Sequence, residues 1–563
     1  MIETIIAAVV RLAILAPRLG FAWRVAGDGD MALEGAGTGA AWWKHAVIYQ
    51  VYPRSFQDSN GDGVGDLRGV VQRLDYLADL GVDALWLSPF YRSPMRDFGY
   101  DVRDHVAIDP LFGDMADFRD LVRGCRDRGL RLIVDFIPNH VSDEHLWFRE
   151  SRSSRTNPRR DWFIWRDPGD GGVPPNNWRS EFGGPAWTFD EVRGQYYYHA
   201  FLSSQPDLNW RNPDVVEAMG DVMRFWLDRG VDGFRVDAIH HLIEHSAAPD
   251  NPDNPAWREG MDPADRLLKV HTVDQPEVHA AIAALRAVLA AYPGERVLIG
   301  EAYLPIDRLV TYYGAAGEGF DLPFNFHLMS TPWTPTAIAA LIAAYERSLP
   351  DHGWPNWVLS NHDRSRLASR IGQAQTRVAA MLLLTLRGTP TLYQGDELGM
   401  ADVVIPVDRV RDPLELNVPG LGLGRDPART PMLWSDAPFA GFSTAEPWLP
   451  LSPDHATLNV ERQSRQEGSL LNFYRRLLAF RRTEAALLDG DYVEVAAAAQ
   501  VLAYERRALG QRLLIVLNLT AEPASTVFQA GIILLATHGR ADGEWLEGEV
   551  TLLPHQGILM RLR

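Results

Sequence analysis

Gly233-Phe234-Arg235-Val236-Asp237-Ala238 ends an apolar run with an arginine and a carboxylate. On a strand, Phe234 and Val236 point one way and Arg235 and Asp237 the other. Two further runs end alike. Val297-Leu298-Ile299-Gly300 leads to Glu301, and Trp357-Val358-Leu359-Ser360-Asn361-His362 leads to Asp363. Burying charge at a strand end is costly unless the groups pair or work. Three such ends predict a barrel with its chemistry on one rim.

The flanking chain has the matching rhythm. Strand patterns at Val47–Tyr52, Ala84–Leu87 and Arg131–Ile137 alternate with helical spacing over Leu67–Leu80 and Phe118–Arg128. The alternation resumes with helices at Val215–Arg229 and Val278–Ala291 around the Asp237 and Glu301 strands. Phe324–Leu328, Asn356–Ser360 and Thr391–Tyr393 complete eight strands. The pattern predicts an α/β protein built on a closed (β/α)8 barrel. Residues 141–212, rich in Trp, Pro, Gly and Asn and without helical periodicity, read as an inserted irregular domain after the third strand. Residues 401–465 read as a second long loop region, and long loops at a barrel rim set specificity. From about 489 short strand patterns follow at Tyr492–Val495, Val501–Glu505, Leu513–Asn518, Gly531–Ala536 and Gly557–Arg561. The expected division is barrel over 41–140 and 213–485, inserted domain over 141–212, and C-terminal antiparallel β-sandwich over 486–563.

The chain has 563 residues, more than one core accommodates. It is 46% hydrophobic and 23% charged, with a formal net charge of −18. That charge disfavours nucleic acid or an anionic membrane as partner. Cys125 is the only cysteine, so no internal disulfide forms, and its helical setting reads as core. Residues 1–40 read as an extension outside the fold. Ile5–Leu19 is interrupted by Arg11 and Arg18, too short and charged for a membrane span, and it lacks the basic start of a signal peptide. Gly27–Ala41 reads as linker, and Met31 as an alternative start. The expectation is a cytoplasmic monomer or homodimer.

Two carboxylates facing one bond can cleave a glycoside, one as nucleophile and one as proton donor and then base. Burial or nearby negative charge keeps the donor protonated. A third carboxylate favours an oxocarbenium-like transition state. Arg235 can hold Asp237 ionised and oriented. Asp58-Ser59-Asn60-Gly61-Asp62-Gly63-Val64-Gly65-Asp66 sets oxygen ligands at alternate positions around a glycine, as a hard cation requires. Its twelfth position is Gly69 rather than an EF-hand glutamate, so spacing alone leaves a cation loop or an Asx-rich turn.

These motifs resemble the α-amylase superfamily of glycoside hydrolases, in its α-glucosidase/oligo-1,6-glucosidase branch, over about Trp42 to Arg563. Asp135-Phe136-Ile137-Pro138-Asn139-His140, Gln205-Pro206-Asp207-Leu208-Asn209, Gly233 to Ala238, Ile299-Gly300-Glu301 and Asn361-His362-Asp363 are similar to its conserved regions. The resemblance implies Asp237 as nucleophile, Glu301 as general acid/base and Asp363 as transition-state stabiliser. It implies His140, Arg235 and His362 as ligands of the cleaved glucose, with Asp97 and Tyr100 clamping its non-reducing end. Arg429 would close the pocket, and Phe148 and Phe182 would wall the neighbouring subsite. It also implies structural Ca²⁺ or Mg²⁺ on Asp58, Asn60, Asp62, Val64 and Asp66, and no organic cofactor. A small residue at Ala238 goes with α-1,4 bonds in this branch, and Val with α-1,6.

The expected activity is a retaining, exo-acting α-glucosidase on maltose-like oligosaccharides, with glucosyl transfer. Oligo-1,6-glucosidase, sucrose-acting enzyme and trehalose synthase are the alternatives within the family. A non-catalytic carbohydrate-binding barrel is disfavoured because all three acids are present.

Overall fold

Eight parallel strands close on themselves in a computed structural model: β1 Ile48–Val51, β2 Ala84–Leu87, β3 Arg131–Phe136, β4 Gly233–Val236, β5 Val297–Gly300, β6 Leu322–Asn325, β7 Asn356–Val358 and β8 Thr389–Tyr393. The structure describes residues 21–23, 33–35, 41–497, 500–540 and 542–563. Most of the expected extension over 1–40, including Ile5–Leu19 and Met31, lies outside these. Within it Phe21–Trp23 pairs antiparallel with Leu33–Gly35, so part of the expected linker is strand.

Arg131 at the start of β3 is exposed, and every other barrel-strand residue is buried. Strands covered on both faces read as continuous apolar runs, which is why the pattern was readable. The sixth strand starts two residues before its expected position. Asn325 Oδ1 accepts the His327 amide at 3.1 Å, and Leu328 belongs to the short helix His327–Ser330. The helix expected over Leu67–Leu80 is two, Leu67–Gln72 and Leu74–Leu80. Arg73 breaks it, its Nε donating to Gln57 Oε1 at 2.7 Å and its guanidinium lying 4.1 Å from the Trp434 ring centre.

Within 141–212, Trp165–Arg166, Gln195–Tyr198 and Trp187–Asp190 form a three-stranded antiparallel sheet. A helix the sequence did not indicate, Leu146–Ser153, packs beside it, capped by His145. The segment between β4 and the helix Val278–Ala290 straps this domain. Carbonyls of Ala248, Pro249, Asn251 and Pro263 accept from Asn176, Trp178, Asn177 and Arg179 at 2.8–2.9 Å.

The C-terminal part is antiparallel, as expected. Among the described residues it comprises six strands, including Trp545–Leu552, all hydrogen-bonded into a single sheet. Leu502, Tyr504, Leu513 and Ile515 join the barrel core, while Val501, Ala503, Leu514 and Val516 line a second core, the period-two alternation of a sheet covered on both faces. Cys125 is buried in the barrel core and burial pushes its thiol up to about 12, which leaves no reactive thiolate. Among the described residues no helix is long and apolar enough to cross a membrane.

Candidate active site

The barrel register assembles the centre. β4 pairs with β3 so that Arg235 lies beside Asp135, and with β5 so that Val236 lies beside Gly300. Asp237 and Glu301 follow at one level, and the ladder continues through them. Asp237 N–H donates to Phe136 O and Glu301 N–H to Val236 O, each at 2.9 Å. Gly300 is required: a Cβ there would lie 2.7 Å from the Phe320 ring.

Arg235, fully buried, is shared by three carboxylates. Its Nη1 donates to Asp135 Oδ1 and Asp237 Oδ1, each at 2.7 Å, and its Nη2 lies 2.7 Å from Glu301 Oε2. Glu301 Oε2 also accepts the Ala238 N–H at 3.0 Å, and the Glu301 carboxyl reaches Asp237. Burial pushes the Asp237 carboxyl well above its ordinary range, Glu301 and Asp135 add to this, and Arg235 opposes it. Burial likewise pushes Asp135 up to about 6 against the same arginine. Burial and like charge thus raise both Asp135 and Asp237 against the one guanidinium they share.

Asp363 stands in the opposite electrostatic setting. Burial alone would raise it, but His362, Arg429, Arg425 and Arg235 hold it well below the carboxylate range. Burial pushes His362 itself down to about 3, so near pH 7 that ring is neutral and the arginines keep Asp363 ionised. Gln50 Nε2 donates to His362 Nδ1 at 2.7 Å, which leaves the ring proton on Nε2, 2.6 Å from Tyr100 Oη. Tyr100 stacks on His362 with planes 8° apart and donates to Asp135 Oδ2 at 3.1 Å. Tyr100 and Asp135 thus tie the Asp363 side to the Arg235 cluster, while Gln50 orients the His362 ring, a role the sequence did not reveal.

Asp97 and His140 also belong to this centre. Gln205 Nε2 donates to Asp97 Oδ2 at 3.1 Å and lies 3.2 Å from His140 Nε2. Two expected assignments change. Arg429 does not close the pocket: it is fully buried, donating to the His362 carbonyl at 2.8 Å and to Asp363 Oδ1 at 2.7 Å. Arg425, four residues earlier, bridges the acids. Its Nη2 donates to Asp97 Oδ1 at 2.8 Å and its Nη1 to Asp363 Oδ1 at 3.4 Å, with Asp412 as anchor and the Phe182 ring 5.0 Å below. Phe148 is not a subsite wall. It is 1% exposed within an aromatic core, its ring parallel to Trp165 and edge-on to Phe163 and Tyr197. Tyr303, two residues past Glu301, is 37% exposed and stacks on Phe326 at 4.4 Å.

The loop Asp58–Asp66 is closed by its own donors. Asp58 Oδ1 accepts from the Asn60 and Gly61 amides, Asp58 Oδ2 from Gly63 N–H and Ser443 O–H, and Asp66 from Ser59 and Gly69. Gly63 has φ +88°, and a Cβ there would meet the Glu446 carbonyl at 2.2 Å. No described Arg or Lys forms an ion pair with Asp58, Asp62 or Asp66. Among the described residues no three His, Cys, Asp or Glu side chains are placed to hold a metal ion.

Fold and site together define a (β/α)8 enzyme with a carboxylate cluster at the C-terminal rim. Residues 50–490 match the α-amylase catalytic domain, and 489–559 match a domain of unknown function, DUF3459. The chain belongs to the α-amylase family of glycoside hydrolases. It is 40% identical over 499 residues to a probable α-glucosidase of Rhizobium meliloti, covering 86% of this chain and 90% of that one. It is 36% identical over 568 residues to an oligo-1,6-glucosidase of Parageobacillus thermoglucosidasius, covering 93% and 99%. A crystal structure of an α-glucosyl transfer enzyme superposes with a TM-score of 0.88 at 40% identity, covering 93% of this chain and all of the other.

Proposed function

We propose that this protein is a retaining, exo-acting α-glucosidase that hydrolyses, and transfers, terminal α-1,4-linked glucose of maltose-like oligosaccharides. The observation that carries the reading is the pairing of Asp237 and Glu301 on one guanidinium. That arrangement supports the closer of the two carboxyl separations, roughly 5 Å, which suits a covalent intermediate; the wider one leaves room for water.

In this reading Asp237 Oδ attacks the anomeric carbon while Glu301 gives its proton to the glycosidic oxygen, releasing the leaving sugar. A water, deprotonated by Glu301, then attacks the same carbon, breaks the ester to Asp237 and restores the proton. Asp363, held ionised by the arginines, stabilises the positive charge that develops on the ring. Asp97 and Arg425 would clamp the far end of the glucose. The similarity to an α-glucosyl transfer enzyme supports a sugar as alternative acceptor to water.

Ala238 favours α-1,4 over α-1,6 linkage. It directly follows Asp237, and its small side chain leaves room for the α-1,4 aglycone. Initial rates on maltose and isomaltose at equal concentration test this. The expected result is maltose cleaved faster by tenfold or more, and faster cleavage of isomaltose would return the assignment to an oligo-1,6-glucosidase.

The Asp58–Asp66 loop is proposed as a structural Ca²⁺ or Mg²⁺ site. Support comes from oxygen donors at alternate positions and carboxylates without a basic partner. An ion would draw on the Asn60 amide oxygen and Val64 carbonyl as well as Asp58, Asp62 and Asp66. Treatment with EDTA is expected to lower Tm by several degrees while activity at moderate temperature stays within about twofold. An unchanged Tm would remove the site.

A further inference from the structure

Away from the acids, at the other end of the barrel, the helices Met115–Asp127 and Pro213–Leu227 lead into the starts of β3 and β4. A cleft of about 390 Å³ lies between them. Four arginines line it: Arg119, Arg123 and Arg126 from the first helix, and Arg229 just past the second. The first three stand at i, i+4 and i+7, one stripe of a helix, and all three are exposed. Like charges at this spacing repel. Asp120 offsets only Arg123, at 2.7 Å. Arg119 and Arg126 have no ion-pair partner among the described residues. Asp228, the acid among the lining residues, accepts the Tyr292 hydroxyl at 2.7 Å. Against Asp120 and Asp228 the four guanidiniums leave a surplus of two positive charges.

Helix ends account for part of this, because a cation is favoured at a helix C-terminus. Arg229 serves that need: its Nη1 donates to Phe225 O at 2.7 Å, and its guanidinium lies 3.3 Å from the Phe225 ring centre. Arg126 stands in the last turn of its own helix. Arg119 lies about two turns earlier, where the helix end offers it nothing. The backbone keeps the cleft open. Gly230 has φ +93°, and a Cβ there would lie 3.0 Å from Val122 and 3.3 Å from Arg126 Nη2. The missing side chain lets the Arg126 guanidinium reach across to the end of the second helix. The whole chain carries −18, a charge that repels anions, so this cationic cleft is a local exception.

We propose that this cleft binds a small phosphate-bearing anion through Arg119 and Arg126, with Arg123 and Arg229 as flanking charges. A guanidinium fork sets two parallel N–H donors against phosphate oxygens. A cavity of this size admits a small molecule, and the net charge disfavours a nucleic-acid strand. The site stands apart from the sugar chemistry at the opposite rim and does not depend on the α-glucosidase reading.

Phosphorus NMR titration of sodium pyrophosphate with the full chain tests this. Prior dialysis against EDTA keeps chelation at the Asp58–Asp66 loop out of the signal. One equivalent is expected to bind with a Kd of about 1 mM or tighter, weakened severalfold by added sodium chloride because exposed charges are screened. The double variant Arg119→Gln with Arg126→Gln is expected to bind at least tenfold more weakly. Glutamine keeps the helix propensity, so the Tm of the variant without ligand should match that of the unmodified protein. Should the double variant fail to fold, Arg119→Gln alone decides, with an expected loss of severalfold. A parallel titration with ADP names the source: tighter binding than pyrophosphate assigns a nucleoside diphosphate, and weaker binding a free phosphate, each in support of the site. No measurable binding at millimolar pyrophosphate overturns the proposal. Unchanged affinity in the variants overturns it too, since the anion then sits elsewhere, as does equal affinity at low and high sodium chloride.

Discussion

Asp237→Ala is expected to lower kcat on maltose by on the order of 10⁴ or more, the scale on which removal of a nucleophile acts in other covalent enzymes. Folding should survive the change. Asp237 is one of three acids around a single guanidinium, and its carboxyl is pushed well above its ordinary range by burial. A raised folded-state value means that the ionised group opposes folding near pH 7, so its removal relieves the cluster. The Tm of the variant is therefore expected to equal or exceed that of the unmodified protein. Activity within a few-fold of the original would contradict the nucleophile assignment. A Tm lowered by ten degrees together with lost activity would give Asp237 a structural role instead.

Arg235→Ala is expected to have the largest effect on stability. It leaves Asp135, Asp237 and Glu301 without their shared cation in a fully buried setting, which costs about 3–5 kcal/mol when a buried charge partner is removed. The sign of its pH dependence follows. Asp135 already sits near 6 in the folded state against about 3.9 unfolded, and losing the arginine raises it further. The folded chain then binds more protons than the unfolded chain over that interval, so the variant loses stability as pH rises. Urea unfolding at pH 5 and pH 8 should show the larger deficit at pH 8. A deficit below 1 kcal/mol at both values would show that the acids do not depend on Arg235.

The three rim acids were readable in the sequence because their signal is local. Each barrel strand is buried on both faces, so its apolar run is continuous, and the carboxylate marks where that run meets the rim. Arg425 and Arg429 show what such reading misses. Both lie in Arg425-Asp426-Pro427-Ala428-Arg429, and which of them reaches the pocket is decided by Asp97, far away in the chain. The family resemblance implies Phe148 as a wall of the neighbouring subsite. That its ring faces Trp165 rather than the substrate depends on the short helix Leu146–Ser153, for which 141–212 gave no period. The break at Arg73 was hidden for the same reason, since its partners Gln57 and Trp434 come from other parts of the fold. Local pattern gave the rim, and long-range pairing decided which side chains of the loops serve it.

Double displacement at Asp237 and Glu301 is tested most directly by the anomeric configuration of the first product. Proton NMR of p-nitrophenyl α-D-glucoside turnover, recorded before mutarotation, is expected to show α-glucose appearing first. Initial β-glucose would mean a single inverting displacement and would remove Asp237 as nucleophile.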